Sequence, residues 1–307
     1  MFPIKDKQRR KISILGGSGF IGKELISKLS KQNFLIRVLT KNKINTRSLW
    51  PIPNTEFIEY INTEESIRNA IGESNFIVNL VGQLQCKKSY PWGKEFDDAH
   101  VKLVQNLVSA TNGTECKKIV HISALGVTKN SPSMYLRSKM EGERNLSKSS
   151  LEIVILRPSV VFGPGDSFLN LFSKMHRILP FIPLASPNSM FQPIYVRDLV
   201  EIIHECINRD PKTKKSVFEC VGPEIFSLYE LVSLAGKYSG KSKMIIPLSK
   251  NLGLLQAFFM EMLPGKPLLS RDNLLSASIP NIATNDQELV YQLENFQNIH
   301  SIAPKYL

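Results

Sequence analysis

The sequence predicts an α/β chain: a doubly wound parallel sheet followed by a smaller C-terminal lobe. Three observations carry that expectation. A short apolar run, Lys11–Leu15, meets a glycine turn and then a helical spacing of apolar residues. Strand-like and helix-like segments alternate from there to Leu156, the pattern of βαβ units. Beyond Arg157 prolines crowd in at 158, 164, 180, 183, 187 and 193, and the alternation loosens.

KISIL at Lys11–Leu15 reads as a buried strand and GGSGFIG at Gly16–Gly22 as a turn. Ile21, Leu25, Ile26 and Leu29 then recur at helical spacing. Leu35–Thr40 is the second strand, Thr55–Ile61 the third, and Glu64–Ile71 a short helix. Phe76–Val81 is the fourth strand. Val101, Val104, Leu107 and Val108 form the apolar face of a helix over Phe96–Ala110. Lys118–Ile122 is the fifth strand, Tyr135–Leu146 a helix and Leu151–Leu156 the sixth strand. Right-handed crossovers wind such a series into one parallel sheet with helices on both faces. The looser half holds a helix near Leu199–Ile207, a strand near Ser216–Val221 and a helix near Leu228–Tyr238. The expected division is a nucleotide-binding domain over residues 1–157, with 192–206 returning to it, and a lobe over 158–307.

The 307 residues carry a formal net charge of +12. The basic residues are spread out, apart from a knot at Lys5, Lys7, Arg9, Arg10 and Lys11. Such a balance suits a solvated surface, nucleotide phosphates or acidic lipid headgroups. No zinc-finger, zipper or RNA-binding signature accompanies it, which disfavours nucleic acid. Cys86, Cys116, Cys206 and Cys220 form no CxxC pair and no metal-ligand spacing, so they read as reduced structural thiols. The basic start runs straight into a strand rather than a signal peptide. No apolar run reaches the ~18–20 residues that span a bilayer. These readings predict a cytoplasmic chain, with peripheral contact at the inner membrane as the alternative. LGLLQAFFMEML at Leu252–Leu263 keeps three readings open: a buried helix, the lining of a pocket for an apolar substrate, or a face docked on a membrane or a membrane-embedded partner.

Gly16, Gly19 and Gly22 make GxxGxxG between a strand and a helix, the context a dinucleotide-binding (Rossmann-type) loop requires. Gly16 permits the tight turn, Gly19 a close approach to the pyrophosphate, and Gly22 close packing of helix on strand. Ser18, Phe20 and Ile21 complete the loop and open the helix, whose unpaired N–H groups face the phosphates. An NAD site usually places an acid after the second strand to bind the ribose 2′-hydroxyl. None stands between Leu25 and Thr55; Arg37, Lys41 and Lys43 do. Cations suit a 2′-phosphate, so NADP(H) is preferred to NAD(H). Lys41 leads, and Arg37 serves only if it faces the cofactor. Val81 and Gly82, where the fourth strand ends, join the cofactor set.

GGSGFIG, YLRSK at Tyr135–Lys139, ILRPSVVFGPGD at Ile155–Asp166 and FQPIYVRDLV at Phe191–Val200 resemble, in order and spacing, the extended short-chain dehydrogenase/reductase superfamily. HISALGV at His121–Val127, SPSMYLRSKMEGE at Ser131–Glu143 and GKPLLSRDNL at Gly265–Leu274 are similar to one atypical branch. That branch contains the nucleotide-binding accessory subunit of mitochondrial complex I, its bacterial relatives and a fungal ubiquinone-biosynthesis accessory protein. The resemblance implies a nicotinamide nucleotide as ligand and respiratory-complex or quinone-biosynthesis proteins as partners.

It also implies roles. Tyr135 exchanges a proton with a substrate oxygen; Lys139 lowers the tyrosine pKa and holds the nicotinamide ribose; Arg157 and Pro158 lie at the nicotinamide end. The usual second group, a Ser or Thr just past the fifth strand, aligns with Ala124. Ser123 is one residue early and serves only if the strand has ended, since a one-residue shift reverses the face. Tyr60 stands near the usual adenine-binding Asp, His100 where an Asn is common, and Asp198 at a structural acid. The cofactor half is complete and the catalytic half partial. The expectation is therefore a nucleotide-binding accessory or assembly protein with weak or no turnover. An active NADP(H)-dependent oxidoreductase or sugar-nucleotide epimerase-like enzyme is the alternative.

Overall fold

In a computed structural model the described residues are 9–209, 213–265 and 267–307; Lys5, Lys7 and Lys266 lie outside them. The first half supplies β1 (Arg10–Leu15), β2 (Phe34–Thr40), β3 (Thr55–Glu59), β4 (Phe76–Asn79), β5 (Lys118–Ile122) and β6 (Glu152–Pro158). Short strands β7 (Val161–Phe162), β8 (Phe181–Leu184), β9 (Met190–Phe191) and β10 (Ile194–Tyr195) precede β11 (Lys215–Cys220). Seven strands make one parallel sheet in the order β3-β2-β1-β4-β5-β6-β11.

Both faces are covered, which is why the strands read as apolar runs. On one face Ile12, Ile14 and Val120 meet Leu25 of α1 (Phe20–Leu29) and Leu199 and Ile203 of α7 (Val196–Asn208). On the other, Leu15, Ile77 and Ile119 meet Ile67 of α2 (Glu64–Ile71) and Leu107 of α4 (Leu103–Thr111). A short α3 (Lys94–Phe96) and a π-helical turn, Asp97–Lys102, lead directly into α4. The next helix, α5 (Met134–Leu146), is capped by the Ser133 side chain, which accepts from the Leu136 amide.

The lobe packs α6 (Leu169–Ile178), α8 (Leu228–Tyr238) and α11 (Ile299–Ile302) around Phe162, Ile182 and Leu231. Antiparallel β12 (Phe226–Ser227) pairs with β9, and parallel β13 (Met244–Pro247) with β8. Helices α9 (Lys250–Met262) and α10 (Arg271–Ala277) follow.

The strand expected in the lobe near Ser216–Val221 belongs to the sheet, as its seventh member beside β6. Its outer edge is covered by the tail: the Glu219 amide donates to Leu289 O at 2.7 Å, and the Tyr291 amide to Glu219 O at 2.9 Å. The buried-helix reading of Leu252–Leu263 is corrected too: on α9 Gly253 and Ala257 are buried, while most of its large apolar side chains face solvent.

Candidate active site

The glycine loop sits where β1 and β4 end together. Gly16 has φ +77°, and a Cβ there would lie 3.0 Å from the Leu80 carbonyl carbon and 3.1 Å from the Val81 nitrogen. The Gly19 amide closes the turn on Gly16 O at 3.0 Å, and Gly19 then starts α1 without a side-chain cap. The first amides and positive end of α1 are thereby available to an anion. Gly22 makes its close approach to the loop itself: its Cβ would lie 2.4 Å from Gly17 O. Ser18, Phe20 and Ile21 are half-buried, and Phe20 and Ile21 pack toward the lobe. A glycine turn, an uncapped helix and adjoining strand ends form a cradle that fits a dinucleotide.

Tyr135, Lys139 and Glu143 follow one another at i, i+4 and i+8 on α5, so they share a face. Lys139 is buried, and Nζ donates to Ile122 O at 3.0 Å and Val81 O at 3.4 Å. That puts the amine under the carboxyl ends of β4 and β5, beside Gly82. Burial pushes Lys139 down to about 8, against the attraction of Glu143. Burial pushes Tyr135 up to about 12. The Tyr135 hydroxyl has no hydrogen-bond partner among the described residues. Its ring meets His100 and Phe96 edge-on at centroid distances of 5.6 and 5.9 Å.

Lys139 gives a pH signature. Its folded pKa, about 8, lies below its ordinary 10.5. The unfolded chain therefore binds the proton more readily between those values, and stability rises with pH across that window. Relative to Lys139→Met, the native chain gains up to about 3 kcal/mol between pH 8 and 10.5, read from urea midpoints. A flat difference would mean that the amine is solvated.

β5 ends at Ile122, so Ser123 does stand past the strand, but its hydroxyl is engaged elsewhere. Its hydroxyl donates to Glu143 Oε1 at 2.5 Å inside the protein. Arg157 grips the same carboxylate, Nε to Oε1 at 3.0 Å and Nη2 to Oε2 at 2.6 Å. Both residues are thus committed to one buried network. The neighbour on the Tyr135 side is Ala124, which packs with Leu136 and Tyr135 and has no polar atom to offer. Pro158 is buried, and its carbonyl accepts the Leu125 amide at 3.1 Å.

Arg37 is also corrected. Its guanidinium lies against Gly72 and 3.4 Å from Glu56, at mid-strand and away from the loop. Lys41 is exposed just past the end of β2. Glu59 Oε1 takes the Lys43 amide at 2.8 Å. Tyr60 is buried among Leu39, Ile67 and Leu103, which removes its ring from an adenine role. His100 Nε2 accepts the Gln83 amide at 3.0 Å, so its proton is on Nδ1, 2.8 Å from Ser138 Oγ. Burial, then Lys139, holds His100 well below its ordinary value, and it serves as a neutral strut between the β4 loop and α5. Asp198 accepts the Gln297 amide at 2.7 Å and acts structurally.

A model of the NAD dependent epimerase/dehydratase family matches residues 12–220. The chain belongs to that family. The motif resemblance pointed to the same place. Among its relatives are two proteins named NADH dehydrogenase (ubiquinone) 1 alpha subcomplex subunit 9, mitochondrial. The Dictyostelium discoideum protein is 26% identical over 85% of this chain and 74% of its own length. The Mus musculus protein is 28% identical over 72% of this chain and 59% of its own length. Among solved structures, UDP-glucuronic acid 4-epimerase from Bacillus cereus, in complex with UDP-glucuronic acid and NAD, superposes with a TM-score of 0.66 at 21% identity. It covers 89% of this chain and 95% of that one, which shows the shared fold.

Within this epimerase/dehydratase frame, residues outside the expected site set hold the site together. Glu143 sits in the same run as Tyr135 and Lys139, but nothing local shows where it turns. Asp272, from α10, accepts the Met134 amide at 2.6 Å and the Tyr135 amide at 3.1 Å. It caps the helix that carries the candidate tyrosine, from 137 residues away. Its carboxyl is raised by burial, which these two amides oppose. Asp272→Ala should cost about 1–2 kcal/mol in chemical unfolding, the range for a lost N-cap. Retention of full stability would show Ser133 to be a sufficient cap.

Proposed function

We propose that this chain binds a nicotinamide nucleotide over the glycine loop, NADP(H) in preference to NAD(H), and acts as an accessory or assembly protein of respiratory complex I or quinone biosynthesis. Turnover is weak or absent in this reading. One observation carries it: the second proton-handling group is diverted. Ser123 donates to Glu143, and Ala124 stands toward Tyr135. Tyr135, held near 12 with no partner for its hydroxyl, is a poor proton exchanger at neutral pH. The names of the mitochondrial relatives support the partner class. Exposed Lys41 beyond β2 supports the 2′-phosphate preference.

In this reading Gly16, Ser18, Gly19 and Gly22, with the first amides of α1, hold the pyrophosphate. Val81 and Gly82 flank it, and Lys139 reaches the nicotinamide ribose. The nucleotide supplies hydride transfer where a substrate is present; otherwise its binding stabilises the fold. A second reading, an active oxidoreductase or epimerase-like enzyme, is favoured by Tyr135 and Lys139 sharing one face at the strand ends.

The test is calorimetric titration of nucleotide-stripped protein with NADPH and NADH, followed by a turnover screen with Tyr135→Phe as control. Tight NADPH and weaker NADH binding without Tyr135-dependent turnover is the expected result. Failure to bind either nucleotide overturns the proposal, and brisk Tyr135-dependent turnover moves the chain to the second reading.

A further inference from the structure

Helix α9 breaks the usual rule for a surface helix, which faces water with charged or polar residues. Leu252, Leu255, Phe258, Phe259 and Met262 form its outer face, with exposures from 42% at Phe258 to 68% at Met262. Only Gly253 and Ala257 are buried, small residues that let the helix lie close on Ala185. Its one acid, Glu261, is neutralised by Arg271, 2.7 Å away, whose guanidinium also covers the Phe258 ring. Leu263, Leu268 and Leu275, in the segment that follows and on α10, are exposed as well.

The segment that leads into this helix is basic, and Lys250 opens the helix itself. From Lys237 to Met260 the chain carries Lys237, Lys241, Lys243 and Lys250 and no Asp or Glu. Lysines are depleted at protein–protein interfaces. Near an acidic leaflet each contributes about 1 kcal/mol. An apolar outer face on a helix about 20 Å long, entered from a basic segment and begun by Lys250, suits one lying in the plane of a bilayer interface. Among the described residues no helix is long and apolar enough to cross a membrane.

We propose that α9 docks this protein on a membrane surface rich in acidic lipids, with Leu255, Phe259 and Met262 among the acyl chains and the lysines at the headgroups. The inference is independent of the nucleotide reading. The experiment is flotation of the full chain with vesicles of phosphatidylcholine alone and of phosphatidylcholine mixed with phosphatidylglycerol. The native chain should float with the acidic vesicles, less with the neutral ones, and less again at high salt. Leu255→Glu with Phe259→Glu should lower the bound fraction at least about tenfold. As both side chains are exposed, the variant's melting temperature and nucleotide titration should match the native chain's. A native chain that stays below the acidic vesicles overturns the proposal and leaves the face to a protein partner. Undiminished flotation of the double variant also overturns it, as does equal binding to neutral vesicles.

Discussion

Replacing Glu143 with Ala lowers the stability of the chain by about 3–5 kcal/mol, the range for removing one partner of a buried ion pair. The carboxylate takes two guanidinium N–H groups of Arg157 and the hydroxyl of Ser123 in an interior position. Without it, Arg157 keeps a charge largely withdrawn from water, and the ends of β5 and β6 lose their common tie to α5. A urea titration gives the number, with the slope expected to stay at the native value. Replacing Glu143 and Arg157 together by Met should recover much of the loss, because the unpaired charge goes with the pair. A single-variant cost below about 1 kcal/mol would mean that water reaches the guanidinium.

Gly22→Ala is expected to abolish most nucleotide binding. The new Cβ would stand 2.4 Å from Gly17 O and 2.5 Å from Gly17 Cα, backbone against backbone. Gly17 has no room to retreat, since its own Cβ position is 2.9 Å from Val38 and 3.0 Å from Ile26. The loop must therefore open away from α1, the geometry on which phosphate binding by helix amides depends. Overpacking of this kind costs about 1–3 kcal/mol. If that strain is released in the loop, affinity falls about tenfold to hundredfold. Calorimetry against NADPH reads the affinity and a thermal melt the stability. Lys31→Ala, exposed beyond the far end of α1, serves as the benign control. Native affinity in Gly22→Ala would show that the ligand does not use this loop.

Much of this was legible because the information was local. Strands covered on both faces are apolar runs, and a glycine turn or YxxxK is a matter of spacing. What the sequence concealed was direction. The direction of Arg37 along β2 is set by Glu56 on β3 and Gly72 at the end of α2, which are distant in sequence. Ser123 and Arg157 both turn on Glu143, and Tyr60 on the core under α2. β11 was visible as a strand, but its partnership with β6 spans about sixty residues and has no local sign. The role of Asp272 depends on a contact with a helix far upstream, which no local pattern marks.

The packing of α7 on α1 has a consequence during synthesis. Lys28 meets Glu201, and Arg197 meets Glu24, each across 173 residues. At about 5–20 residues per second, a ribosome needs roughly ten to thirty seconds to travel that distance. For that interval α1 can lie on the early strands, while the flank destined for Leu199 and Ile203 has no cover from its own chain. Closure of so distant a contact is slow and leaves apolar surface open to chance encounters. The nascent protein is thus most vulnerable to aggregation after its nucleotide loop has been made and before residue 207 has left the exit tunnel.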